Sequence, residues 1–176
     1  MNAAMSDRLI SDASIKGLPI GLRFIEYANA YLSAAQSLCA LMEHQESTRT
    51  WPNASVVLML SAHAVELFIK GMVLSRDGNI VLDGHNLESL NAVYFEHFPE
   101  ASFHWAMPFK TSYVGFEEAE IAELRRQQTA HSVLYRYPVA RGGGEWNGVY
   151  GLVPGTFSSV LSQVARDFQR LRDQLQ

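Results

Sequence analysis

Arg126 and His131, five residues apart in RQQTAH, are the side chains in this sequence best suited to chemistry on a phosphate. Arginine holds a phosphate through paired donors, and histidine moves a proton near neutral pH. Those two roles suffice for metal-independent cleavage of RNA, in which the 2′-hydroxyl attacks its neighbouring phosphate. The surrounding window favours a polyanion: between Arg125 and Gly144 stand four arginines (Arg125, Arg126, Arg136, Arg141) and no acidic residue. On an ideal helix, five residues turn through roughly 140°. The two side chains therefore meet only if the helix breaks, the arginine folds back or a second subunit contributes.

A second constellation lies in the most apolar stretch, Ser55–Leu74, where fifteen of twenty residues are apolar or glycine. His63, Glu66 and Lys70 recur there at three- and four-residue spacing, so they share one helix face, and Glu66 precedes Lys70 in the order that favours an ion pair. One reading of this stripe is a set of buried polar groups satisfied by neighbouring helices. The other is a pocket or subunit interface in which Glu66 and Lys70 help to bind a nucleotide or RNA.

Other chemistries find no support. His-Glu-x-x-His and Cys-x-x-Cys are absent, and a single cysteine, Cys39, leaves no usual zinc set. The order Glu-x-x-His of a di-iron bundle does not occur twice. No metal and no cofactor are expected. Gly142-Gly143-Gly144 lacks the Gly-Lys-Ser/Thr ending of a phosphate loop, and no Gly-x-Ser-x-Gly nucleophile elbow is present. The formal charge of −4 gives no overall pull towards nucleic acid, so a polyanion site needs the local arginine window. One cysteine and an N-terminus without a long apolar run fit a cytoplasmic protein.

The elements that must position these residues read as helices. Ser55–Leu74 is apolar nearly all round and is long enough for a bilayer, but its central ionisable residues argue for the middle of a helical bundle and against a membrane span. Before it, Ile25, Ala28, Leu32, Ala35, Cys39 and Met42 mark a packing seam on a helix from about Leu22 to Gln45. Thr50-Trp51-Pro52-Asn53 supplies start signals for the central helix, expected from about Asn53 to Ser75. A third helix is capped by His85 or Asn86 and runs through Phe98, with Leu87, Leu90, Val93 and Tyr94 inward. Residues 99–115, with Phe103, Trp105, Phe109 and Tyr113, read as a packed loop.

A fourth helix starts near Phe116. Tyr135–Ala140 and Val149–Val153 suggest a short hairpin around RGGGEWNG. The last helix begins at Pro154 and carries Phe157, Val160, Leu161, Val164, Phe168, Leu171 and Leu175 on one face. Arg166, Asp167, Arg170 and Asp173 are expected opposite. The sum is an all-α, up-and-down bundle of about five helices with a small hairpin or loop before the last. Residues 1–20 form an extension and 21–176 a single domain.

SAHAVELFIKGMVL, then GHNLESL, then Arg-x4-His followed by YRYP, resembles the HEPN superfamily (higher eukaryotes and prokaryotes nucleotide-binding domain) over about residues 22–140. The resemblance implies a helical bundle that commonly forms homodimers. Many members are metal-independent RNases of toxin–antitoxin or defence systems, often beside a nucleotidyltransferase; others bind nucleotides or partner proteins without catalysis. The family's Arg-x4–6-His motif falls on Arg126 and His131, with Arg125 as an alternative start. His85 and Glu66 fall on its fold-signature positions. Gln127 stands where the family commonly has Asn, Asp or His, and Val133 where toxin-type members often have tyrosine. RNase and silent binding module both stay open on this pattern.

Overall fold

A helix that is apolar on nearly every side needs neighbours on nearly every side, and the central stretch has them. The computed structural model describes residues 10–109, 115, 117–127, 131–140, 142–146 and 150–175, with backbone alone at 122, 124–127 and 132. In chain order the described residues form α1 (Ala13–Lys16), α2 (Ile20–His44), α3 (Trp51–Arg76), α4 (Leu87–His97), α5 (Glu118–Gln127), α6 (His131–Leu134) and α7 (Pro154–Asp173). Single 3-10 turns lie at Glu46–Thr48 and Ala101–Phe103, and no strand occurs among the described residues. The expected all-α bundle is the fold that forms.

α2 packs along α3, α7 packs on α2 and touches α3, and α4 and α6 also dock on α3. By length and composition α3 could cross a membrane, but 67% of its most apolar window is buried inside the molecule. It serves here as the core helix. All six expected seam residues of α2 are buried: Ile25, Ala28, Leu32, Ala35, Cys39 and Met42.

Two glycines let α2 and α3 touch. A Cβ on Gly71 would stand 2.8 Å from the Gly21 carbonyl oxygen, and one on Gly21 would stand 2.6 Å from that of Gly71. Both distances are below contact, so any side chain there forces the helices apart. Farther along α3, the Phe68 ring lies flat on Phe168 of α7, centroids 3.8 Å apart and planes 5° apart. Trp105 packs against both rings.

The caps follow the sequence. The Thr50 side chain accepts from the Asn53 N–H at 3.5 Å, the long end of a hydrogen bond, and Pro52 sits in the first turn, where no donor is needed. The Asn86 side chain accepts from the Ser89 N–H at 2.9 Å and so caps α4.

Three details differ from expectation. Asp167 is buried, because its carboxylate accepts from Gln163 at 3.0 Å and Arg170 at 3.1 Å. Arg170 in turn donates to the carbonyls of Ser102 and His104, which ties α7 to the loop after α4. On α4 Asn91 is buried beside Leu87, Leu90 and Tyr94, while Val93 is partly buried and packs against the core. No hairpin strands form between α6 and α7 among the described residues. A tight turn closes there through Ala140 N–H to Gly144 O at 2.8 Å and Gly143 N–H to Ala140 O at 3.0 Å. Gly142 and Gly143 both take left-handed backbone in that turn, a bend that ends pairing within a residue or two.

Candidate functional site

The spacing of His63, Glu66 and Lys70 on α3 puts the three side chains on one face, and the loop into α4 folds back over them. Glu66 is almost wholly buried. Its Oε1 accepts from Lys70 Nζ at 3.0 Å and bonds His85 Nδ1 at 2.8 Å. Lys70 Nζ also donates to the Gly84 carbonyl at 2.9 Å. Gly84 has φ of 88°, a left-handed backbone that suits glycine and turns its carbonyl towards the lysine. His63 Nδ1 lies 3.8 Å from Glu66 Oε2, beyond hydrogen-bond distance.

Burial alone would raise the Glu66 carboxyl, but His63, His85 and Lys70 outweigh it and hold the group at about 2. The carboxylate is therefore charged at neutral pH, with its strong contacts made inside the protein. Glu66 and Lys70 fasten the α3–α4 loop through Glu66 Oε1 and two of the Lys70 donors. Glu66 and His85, nineteen residues apart, are joined directly. Among the described residues no group of three or more His, Cys, Asp or Glu is arranged to hold a metal. Cys39 is buried, and burial followed by the nearby Glu43 raises its thiol pKa, which keeps it protonated.

The arginine window sits elsewhere. Arg126 and Arg125 lie on α5 with side chains outside the described residues, and Arg141 is outside them altogether. His131 opens α6 and is half-buried. Its ring meets Phe109 at 5.3 Å and Tyr135, one turn on, at 6.0 Å between centroids. Burial pushes its pKa below the usual imidazole range, and the Glu88 carboxylate pushes more weakly the other way. His131 is neutral at pH 7, the form that accepts a proton.

From His131 a file of aromatic rings leads to the surface. Tyr135 meets Tyr150 edge-on at 6.2 Å, and Tyr150 faces Trp51 at 6.4 Å with planes 25° apart. Trp51, Tyr135, Tyr150 and Trp146 line a cavity of about 640 Å³ between the start of α3 and the segment after α6. Arg136 and Glu145 lie on the same wall. Trp146 is held by its indole N–H, which donates to the Tyr137 carbonyl at 2.9 Å. A hollow of about 810 Å³ adjoins it across Tyr137 and Trp146.

Of the residues singled out from sequence, the structure brings His131 and Arg136 to one region and Glu66 and Lys70 to another. The aromatic wall escaped the sequence reading. Its signal was present in the density of Tyr135, Tyr137, Trp146 and Tyr150, but the alternation of those residues suggested strands. Trp51 read only as a helix start. Compared with models of known families, with curated proteins and with solved structures, the chain has no match.

Proposed function

We propose that this chain is a HEPN-like, metal-independent RNase whose RNA lies along the aromatic cavity. The observation that carries the reading is His131: neutral, half-buried, and at the inner end of a ring file that opens to the surface beside Arg136. Aromatic faces stack bases without regard to sequence, and an arginine beside them neutralises phosphate. A neutral imidazole can take the proton from a 2′-hydroxyl. The 2′-oxygen then attacks phosphorus, the 5′-oxygen leaves with a proton from an acid, and a 2′,3′-cyclic phosphate results. One histidine cannot serve as base and acid in the same step, so the reading includes a homodimer in which a second copy supplies the acid. Arg126 is assigned to the scissile phosphate by the motif resemblance. A cytoplasmic setting and a nucleotidyltransferase partner belong to the same reading.

A binding module without catalysis is the second reading, favoured by the packing of His131 between Phe109 and Tyr135. RNA cleavage in excess EDTA separates the two. The wild type is expected to cut, and His131→Ala to lose about a hundredfold or more, the usual worth of a positioned acid–base group. The base form stays populated below pH 6.5 because burial lowers the His131 pKa. The base limb of the rate profile should therefore lie below 6.5, with the rate falling as pH drops through it. No cleavage by folded wild type on several RNAs would leave the binding module.

A further inference from the structure

We propose that Trp51 and Tyr150 form a clamp for one nucleobase of single-stranded RNA, an inference that rests on the RNA-binding function proposed above. Their rings are near parallel, 25° apart, with centroids 6.4 Å apart. The core pair Phe68 and Phe168 shows what two rings do when nothing is meant to pass between them: they close to 3.8 Å. The outer centroids stand 2.6 Å farther apart than that, so Trp51 and Tyr150 are not closed on each other as the core rings are. Trp51 and Tyr150 are 45% and 38% exposed and both line the same cavity.

The rest of the wall sorts base from phosphate. Glu145 on the cavity wall repels a phosphate and accepts from the amino or imino edge of a base. Arg136 lies on the same wall and offers the donors a phosphate needs. A base between the rings with its phosphate at Arg136 uses both groups, whereas a proline-rich peptide leaves the carboxylate and the guanidinium without a role. The chain of rings from Tyr150 through Tyr135 to His131 then runs from the clamped base towards the proton acceptor.

The test is fluorescence anisotropy of a short fluorescein-labelled 2′-O-methyl RNA, which binds but cannot be cleaved. Competitors are an abasic strand of equal length, an RNA duplex and a proline-rich peptide. Trp51→Ala and Tyr150→Ala should each weaken binding about tenfold or more, the worth of one stacked base, and Trp51→Phe should recover most of it. The abasic strand and the duplex should compete poorly. Equal competition by the abasic strand, or unchanged affinity in both alanine variants, overturns the clamp, as does capture of the peptide in place of RNA. Circular dichroism checks that the variants fold. Cleavage of ordinary RNA distinguishes the two claims: base-dependent binding without cleavage keeps the clamp and removes the RNase. Cleavage with an unchanged KM in Trp51→Ala keeps the RNase and removes the clamp. Absence of any RNA binding removes both.

Discussion

Two pairs of near-parallel aromatic rings divide this molecule into a part that holds it together and a part that is left open. Phe68 and Phe168 are in contact and fully buried where α3 meets α7. Trp51 and Tyr150 join the start of the same helix to the segment before α7, yet they stand 6.4 Å apart and exposed. The same chemistry serves two ends. A closed pair removes apolar surface from water and adds ring–ring attraction, so it stabilises the fold. The outer pair buries less apolar surface, and both of its rings line the cavity. The polar groups divide the same way. Glu66 and Lys70 bond to each other and to the loop before α4, whereas Arg136 and Glu145 line an open cavity.

The sharpest way to break this comparison is to remove one ring from each pair. Phe168→Ala should cost about 3–5 kcal/mol, the range for a large aromatic deleted from a packed core. Trp51→Ala, at a ring 45% exposed, should cost far less, about 1 kcal/mol, the central value for a point substitution. Urea denaturation followed by circular dichroism reads both. A Trp51 variant as damaging as Phe168→Ala would make the outer pair a structural contact and end the contrast.

The next effect concerns the polar network. Glu66 is held at about 2 against an ordinary value near 4.5 in the unfolded chain. The native state thus binds fewer protons than the unfolded state between those values, and stability rises with pH across that interval. The contribution is complete above about 4.5 and is lost as pH falls from there towards 2, a change on the order of 3 kcal/mol. Urea midpoints from neutral to acid pH should follow that curve, and Glu66→Gln should flatten it. An unchanged acid limb in the glutamine variant would mean that the loop is fastened by something other than this carboxylate.

These two regions also differ in how well the sequence foretold them. The helices were legible because burial imposes a period: Ile25 to Met42 recur in threes and fours, and every one is inside. The polar stripe of α3 was legible as a stripe, since helical spacing alone puts His63, Glu66 and Lys70 together. Its purpose was not, because that depends on His85 and Gly84 returning from a loop nineteen and eighteen residues after Glu66. Asp167 was misplaced for the same reason. Its burial depends on Gln163 and Arg170 on its own helix, and on the distant carbonyls that Arg170 reaches. The groove was least legible. Trp51 and Tyr150 are 99 residues apart, and no local period links a helix start to a loop.

The smallest expected effect tests the contrast at the level of the backbone. Gly71→Ala puts a methyl group 2.7 Å from the Ile25 side chain and 2.8 Å from the Gly21 carbonyl, where α2 and α3 touch. Backbone on one side and a buried core residue on the other leave little room to adjust, so the helices must shift, at about 1–3 kcal/mol for overpacking of this kind. Helix propensity works the other way, because alanine in a helix is favoured over glycine by about 0.8–1.0 kcal/mol. The net cost is therefore the packing strain less that gain, and a loss in urea stability means that close packing outweighs propensity. Gly144→Ala, in the turn beside the groove, meets nothing within 4 Å and should leave stability unchanged. If Gly71→Ala proved neutral or stabilising, the α2–α3 contact would be as yielding as the groove, and the division between a closed core and an open edge would lose its backbone half.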